Sequence, residues 1–124
     1  MKSITGALFF LAVLSIGCRK DLERQRSVNL DAIISFSKNI QPVFNDNCAK
    51  SGCHVEWGQA PNLAPGVAYD QLLELGYVDP ANPEGSLLYQ KVSATVKQMP
   101  PTGNLSSIQI NSIYAWIKQG AKNN

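Results

Sequence analysis

The sequence carries little excess charge of either sign and few side chains of the kinds that bind metals. Its 124 residues include 11 lysine and arginine residues against 9 aspartate and glutamate residues, and from residue 37 onward six lysines oppose six acidic residues. A domain without net charge lacks the electrostatic footprint of nucleic-acid binding, so no nucleic-acid partner is expected. No internal repeat is visible, which argues against repeat architectures. The chain has one histidine, three cysteines and two methionines.

The N-terminal apolar run is too short to form a stable membrane span. It covers residues 7–16, follows Lys2 and ends in small residues before Cys18, which is the pattern of a secretory signal. The stretch "LSIGC" resembles a bacterial lipobox, with Ser15 standing where leucine is usual. We therefore predict a lipoprotein-type signal peptide at residues 1–17 and a lipid on Cys18. The alternative is an ordinary signal cut elsewhere, with Cys18 discarded or left as a free thiol.

The segment that begins with Cys18 is predicted to be a tether. Residues 18–36 hold the lipidated cysteine and a polar, basic stretch, and a folded domain is expected over residues 37–124. Acyl chains on one cysteine can hold a protein at a membrane without a spanning helix. Arg19 is not the aspartate that retains lipoproteins at the inner membrane in the best-known sorting rule. The expected address is therefore the outer membrane, facing the periplasm or the cell surface.

The first half of the domain predicts two short helices. Asn39 is a suitable N-cap for a first helix that carries Pro42 in its first turn, where a missing N–H is harmless. The segment "VAYDQLLELG" predicts a second helix with leucines as its apolar content and Gly76 as its end. No segment reads as a convincing strand, so the predicted class is all-α with long loops.

The second half predicts two more helices. The third is a short helix over about residues 84–92. The fourth begins at a capping box formed by Ser106 and Gln109 and ends at Gly120. Its apolar residues keep the i, i+3, i+4, i+7 spacing of a buried face; they are Ile110, Ile113, Tyr114 and Ile117.

Four short helices bury too little apolar area to stabilise a domain comfortably, so a staple or a cofactor is expected. The segment "CAKSGCH" places Cys48, Cys53 and His54 together and suggests three possibilities. Zinc is one, although adjacent Cys53 and His54 are awkward ligands for one ion and a fourth ligand is lacking. A disulfide is another, but it closes a very short loop and leaves His54 unexplained. The third is covalent haem, whose usual attachment pattern C-x-x-C-H is two residues shorter. The longer loop must then bulge, and Gly52 has the backbone freedom for it.

With its other motifs, the chain resembles the class I c-type cytochromes. The resemblance covers about residues 36–120 and rests on these elements in order: "FSKNIQPVF" (36–44), "CAKSGCH" (48–54), "APNL" (60–63), "QMPP" (98–101), and Tyr114, Trp116 and Ile117 in the last helix. It implies a cytochrome c-like fold of about four short helices around one haem c. It also implies an electron carrier for redox partner proteins rather than an enzyme.

The resemblance implies a role for each site residue. Cys48 and Cys53 would form the haem thioethers, and His54 and Met99 would be the axial iron ligands. The carbonyl of Pro61 would accept the other ring N–H of His54, and Leu63 would pack on the ring. Lys97 or water could replace Met99, which could otherwise be a gap-filling core methionine.

Four further residues have open roles. Trp57 and Trp116 are core or rim aromatics, and either indole could reach a haem propionate. Lys50 and Lys97 flank the two ligand loops, where they steer an acidic partner or are simply solvated. Phe44 and Tyr114 are expected to join the first and last helices.

The alternative functions are a haem-free, disulfide- or metal-stapled envelope lipoprotein that acts as a binding or structural module, and a haem subunit of a larger oxidoreductase complex.

Overall fold

The computed structural model describes residues 32–124. All regular secondary structure in this part of the chain is helical, with no strand, which confirms the all-α prediction for these residues. In chain order the elements are a π-helical turn (Phe36–Ile40), α1 (Gln41–Asn47), α2 (Ala68–Glu74), a 3₁₀ turn (Pro83–Gly85), α3 (Leu87–Ser93) and α4 (Ser107–Lys118). None of the helices in residues 32–124 has the length and apolar character needed to cross a membrane.

The first helical segment begins earlier than predicted, and Asn39 is not its N-cap. Ser35 caps the π-helical turn, since its Oγ accepts the backbone N–H of Lys38 at 3.2 Å. Asn39 lies inside that turn, and its Oδ1 accepts the backbone N–H of Ser35 at 2.8 Å. Pro42 does lie in the first turn of α1, as predicted.

The middle helices are shorter than the sequence suggested. In α2, Leu72 is fully buried, whereas Leu75 lies just beyond the helix and is 53% exposed. Gly76 follows with φ +71°, the left-handed conformation expected at a helix end. The predicted third helix is divided between the 3₁₀ turn and α3, and Asn82 caps the turn by accepting the N–H of Gly85.

Helix α4 has the predicted ends. The N–H of Ser106 donates to Gln109 Oε1 at 2.9 Å, and the N–H of Gln109 donates to Ser106 Oγ at 3.2 Å, which is the complete capping box. Gly120 follows the helix with φ +98°. The buried face differs from the predicted one: Ile113 and Ile117 are buried as expected, Ile110 and Tyr114 are only partly buried, and Ala115 and Trp116 are buried in their place.

Aromatic rings join the two ends of the domain, but through different residues than predicted. The ring of Phe36 lies 5.2 Å from that of Trp116, 5.4 Å from that of Tyr69 and 6.2 Å from that of Phe44. Tyr114, the expected partner of Phe44, instead packs against Tyr89 of α3 at 5.0 Å. The position of Tyr114 on α4 turns its ring toward α3 and away from the π-helical turn.

The N-terminal end of the described chain is hydrogen-bonded to its C-terminal end. The N–H of Ile34 donates to Gln119 Oε1, and the N–H of Phe36 donates to Asn124 Oδ1, both at 2.9 Å. Ile34 is also 7% exposed and belongs to the core. We call the hydrogen bonds of residues 32–37 to Gln119 and Asn124 the terminal clasp. The packed unit therefore begins a few residues before residue 37.

Candidate functional site

The segment that carries both cysteines follows α1 directly. Cys48 is 8% exposed, whereas Cys53 is exposed to solvent. The N–H of Cys53 donates to the Lys50 carbonyl at 2.8 Å, and the N–H of His54 donates to the Cys48 carbonyl at 3.1 Å. Gly52 has φ +77°, a left-handed conformation for which glycine has the backbone freedom. The four residues between the cysteines thus form a compact loop that returns the backbone of His54 to that of Cys48.

The imidazole of His54 is oriented by the Pro61 carbonyl. His54 Nδ1 lies 3.0 Å from the Pro61 oxygen, which is the hydrogen bond that the resemblance implied. Because a carbonyl oxygen only accepts, Nδ1 carries the hydrogen, and the lone pair of the neutral ring is on Nε2. Within residues 32–124, Nε2 has no hydrogen-bond partner. The ring therefore presents a nitrogen suited to bind a metal.

The segment that contains Pro61 is held by residues that the sequence analysis did not single out. The N–H of Leu63 donates to the His54 carbonyl at 2.9 Å, and Gln41 Nε2 of α1 donates to the Leu63 carbonyl at 3.0 Å. Gln71 of α2 accepts the N–H of Asn62 at 3.4 Å. Pro61 and Leu63 are both buried. No sequence signal marks Gln41 or Gln71, because their partners are backbone groups distant along the chain.

The loop after His54 is tightly wound. The N–H of Gly58 donates to the Val55 carbonyl at 2.9 Å, and the N–H of Gln59 donates to the Cys53 carbonyl at 2.7 Å. A Cβ added at Gly58 would overlap the backbone oxygen of Cys53, so a residue without a side chain is required there. This turn leaves Trp57 almost wholly in solvent, with 97% of its surface exposed.

The two thiols have unequal chemistry. Burial, with a smaller contribution from the nearby Cys53, raises the pKa of Cys48 from 9.0 to about 11. Both cysteines are free thiols, so the disulfide alternative has no support in the structure. Among residues 32–124, no group of three or more histidine, cysteine or acidic side chains is placed to hold a metal ion. The zinc alternative is therefore unsupported as well.

Met99 lies in the loop between α3 and α4. Its side chain is 37% exposed, and its N–H donates to the Lys91 carbonyl at 2.9 Å. Gln98 fixes the same loop by donating from Nε2 to the Val92 carbonyl at 2.7 Å. Within residues 32–124, no hydrogen bond joins this loop to the loop that carries His54. Met99 is thus placed by α3 and independently of the cysteines.

The remaining candidates divide between core and surface. Trp116 is fully buried, and its indole N–H donates to the Lys122 carbonyl at 2.9 Å, so it is a core residue and has no N–H to offer a propionate. Lys50 and Lys97 are exposed. Cys18, with the signal peptide and most of the tether, lies outside the described residues.

Comparison with known proteins assigns the chain to no family. No protein-family model matches the chain, and searches of curated proteins and of solved structures return no similar protein. The case for a function therefore rests on the residues and their geometry.

These residues fit a covalently bound haem by their chemistry. Two free thiols precede a histidine whose Nδ1 hydrogen is held and whose Nε2 has no partner among residues 32–124. A partly exposed thioether, that of Met99, is present on a separate loop. Thiols, imidazole and thioether are the donor set of a c-type haem with histidine and methionine as axial ligands.

Proposed function

We propose that the chain is a single-haem c-type cytochrome that carries electrons in the cell envelope. The observation that carries the proposal is the 3.0 Å contact from His54 Nδ1 to the Pro61 carbonyl. A histidine that binds a metal usually donates its other ring N–H to such an acceptor, which fixes the tautomer and the ring orientation. This contact accounts for the position of the one histidine in the chain, directly after Cys53.

Bound haem would supply reversible exchange of one electron at iron. Cys48 and Cys53 would hold it covalently, and His54 would bind through Nε2. Met99 would supply a thioether ligand to the iron, because it is the one methionine of residues 32–124. Leu63, which is 3% exposed and hydrogen-bonded to the His54 backbone, would pack on the ring.

Electron transfer agrees better with this set of residues than catalysis does. A haem enzyme that acts on peroxide needs an open iron site with an acid or base beside it, and the chain has no second histidine for that role. Occupation of the sixth position by Met99 would leave no open site. Exposed Lys50 and Lys97 suit transient docking of an acidic redox partner, whose encounter rate rises with charge complementarity.

The proposed location follows from the N-terminal sequence. A lipid on Cys18 would anchor the protein to the outer membrane, with the domain in the periplasm or at the cell surface. Residues between Cys18 and the terminal clasp would act as the tether.

The direct test is haem staining after denaturing electrophoresis, in a host that matures c-type haem. We expect the native protein to stain and to keep its colour on acid–acetone extraction, because thioether bonds survive both treatments. The variant in which Cys48 and Cys53 are both serine should not stain. Ser51→Ala, an exposed change in the same loop, is the matched control and should stain normally. A colourless native protein would contradict the proposal and favour a haem-free envelope lipoprotein.

A second measurement separates carrier from sensor or enzyme. We expect the reduced, haem-loaded protein to bind carbon monoxide slowly or not at all in stopped-flow mixing, and to turn over negligible peroxide. Rapid binding of carbon monoxide at neutral pH would show an open iron site and refute the carrier assignment.

A further inference from the structure

Trp57 is exposed and strained at the same time. It is 97% exposed, and within residues 32–124 its indole N–H has no hydrogen-bond partner. Its φ is +63°, in the left-handed region that bulky side chains rarely adopt. A residue in this region raises the free energy of the folded state, and such strain is concentrated at functional sites. With 97% of its surface exposed, Trp57 has little packing within residues 32–124 to offset this strain.

The strain is imposed by the loop. Hydrogen bonds from Gly58 to Val55 and from Gln59 to Cys53 close the turn on both sides of the tryptophan. A Cβ at Gly58 would overlap the Cys53 oxygen, so the turn that follows Trp57 depends on glycine. The loop is thus built to hold Trp57 outward in one conformation.

The position of Trp57 indicates what covers it. It follows Cys53 by four residues and His54 by three, and a chain advances at most about 3.5 Å per residue. The turn closed by Gln59 shortens that separation further. Any group attached at Cys53 and bound at His54 therefore lies within reach of the indole ring. Trp116 is unable to take this place because it is fully buried and bonded to Lys122.

The Met99 loop also combines a left-handed backbone conformation with an exposed apolar side chain, here on neighbouring residues. Lys97, two residues before Met99, has φ +53°, and the preceding Val96 is 76% exposed. The third non-glycine residue with positive φ in residues 32–124 is Ala121, which is buried at the end of α4. Non-glycine residues with left-handed backbone thus occur in both loops that carry a proposed iron ligand.

We propose that the ring of Trp57 packs against the haem bound by Cys53 and His54 and shields that side of it from water. The inference rests on the proposed function and adds a positioning residue to it. By excluding water, Trp57 would raise the reduction potential, since burial disfavours the more highly charged ferric state.

The test is hydroxyl-radical footprinting of haem-free and haem-loaded protein, read by mass spectrometry. Trp57 should be oxidised readily in the haem-free protein and several-fold less in the haem-loaded one. Trp116, buried in both, is the internal control. Equal oxidation of Trp57 in a protein that stains for haem would overturn the inference alone. A protein that does not stain would overturn the proposed function with it. Protection of Trp57 that appears only on adding lipid vesicles would assign the side chain to a membrane surface and also overturn the inference.

Variants give a second readout. In the haem-loaded protein, Trp57→Gly should lower the midpoint potential, whereas Trp57→Phe, which keeps an aromatic ring, should retain most of it. Ile33→Ala removes an apolar side chain that is 83% exposed and outside both ligand loops, so it should leave the potential unchanged. In the haem-free protein, Trp57→Gly should be at least as stable as the native chain, because glycine adopts φ +63° without strain. A destabilised haem-free Trp57→Gly, or a potential unchanged from native, would overturn the inference.

Discussion

Cys48 and Cys53 differ in their access to solvent although only four residues separate them. Cys48 is the buried residue that directly follows α1, and Cys53 is exposed at the other end of the loop. Burial disfavours the thiolate, so the pKa of Cys48 rises to about 11. If haem is attached as proposed, the burial of Cys48 would favour a reaction with that thiol before its surroundings are fully packed.

The difference in solvent access between the two cysteines predicts the order in which they are alkylated in the haem-free protein. The thiolate is the reactive form, so iodoacetamide at pH 8 should modify Cys53 first, and modification of Cys48 should increase only as the pH approaches 11. The folded chain holds the Cys48 proton above pH 9.0, where an unfolded chain releases it. Stability should therefore fall between pH 9 and 11. Peptide mass mapping and urea unfolding measure the two effects.

Cys53→Ser is the control for this prediction. Burial, the larger cause of the shift, remains in that variant, so Cys48 should still react slowly. Equal rates for the two cysteines of the native protein at pH 8 would contradict the prediction.

Met99→Ala should open the sixth coordination position of the haem-loaded protein. The thioether favours ferrous iron, so its loss should lower the midpoint potential and allow carbon monoxide to bind. Redox titration and optical spectroscopy measure both effects. Thr95→Ala, an exposed change in the same loop, should behave as the native protein. A charge-transfer band of sulfur-ligated iron that persists in Met99→Ala would show that another group is the ligand.

At the residue scale, the resemblance of the sequence to the class I c-type cytochromes implied the contact between His54 and Pro61, and the structure contains that contact. The sequence did not indicate the left-handed backbone conformation of Trp57. That conformation depends on the hydrogen bonds of Gly58 and Gln59, which close the loop in three dimensions. A bulky residue before a glycine carries no such signal in the sequence.

At the element scale, the capping box of α4 gives a local prediction. Ser106→Ala removes the side chain that accepts the N–H of Gln109, which should lower the free energy of unfolding by about 1 kcal/mol. Ser107→Ala changes an exposed neighbour inside the helix and should have a much smaller effect. Urea unfolding of the haem-free variants measures the difference. Equal stability of the two variants would show that the cap contributes nothing.

The elements that were predicted well are those whose signals are local. The ends of α4 are determined by Ser106, Gln109 and Gly120, which lie within or next to the helix itself. The predicted start of the first helical segment was wrong because serine and asparagine both favour the N-cap position, so Ser35 and Asn39 were both candidates. The choice between them involves contacts with Asn124, 89 residues from Ser35. The same limit applies to Tyr114, whose partner Tyr89 was not identified by periodicity.

At the scale of the whole molecule, the predicted anchor is separable from the haem domain. Cys18→Ser should release protein from the membrane fraction into the soluble fraction, because no lipid is then attached. The released protein should still stain for haem, because the site residues lie between Cys48 and Met99. Cell fractionation with haem staining measures both properties. A Cys18→Ser protein that remains with the membrane would point to another anchor.

The terminal clasp determines how mechanical load enters the protein. If the protein is anchored through Cys18, a pulling force on the tether acts on the described part of the chain from residue 32. The first interactions under load are then the hydrogen bonds to Gln119 and Asn124. The side chain of Gln119 binds Ala32 and Ile34 at once, so these bonds share the pull. The next interactions along the chain are the contacts of the Phe36 ring with the rings of Tyr69 and Trp116. Tension on the tether would therefore act first on α4 and the chain that follows it, and only afterwards on the loop between Cys48 and Pro61.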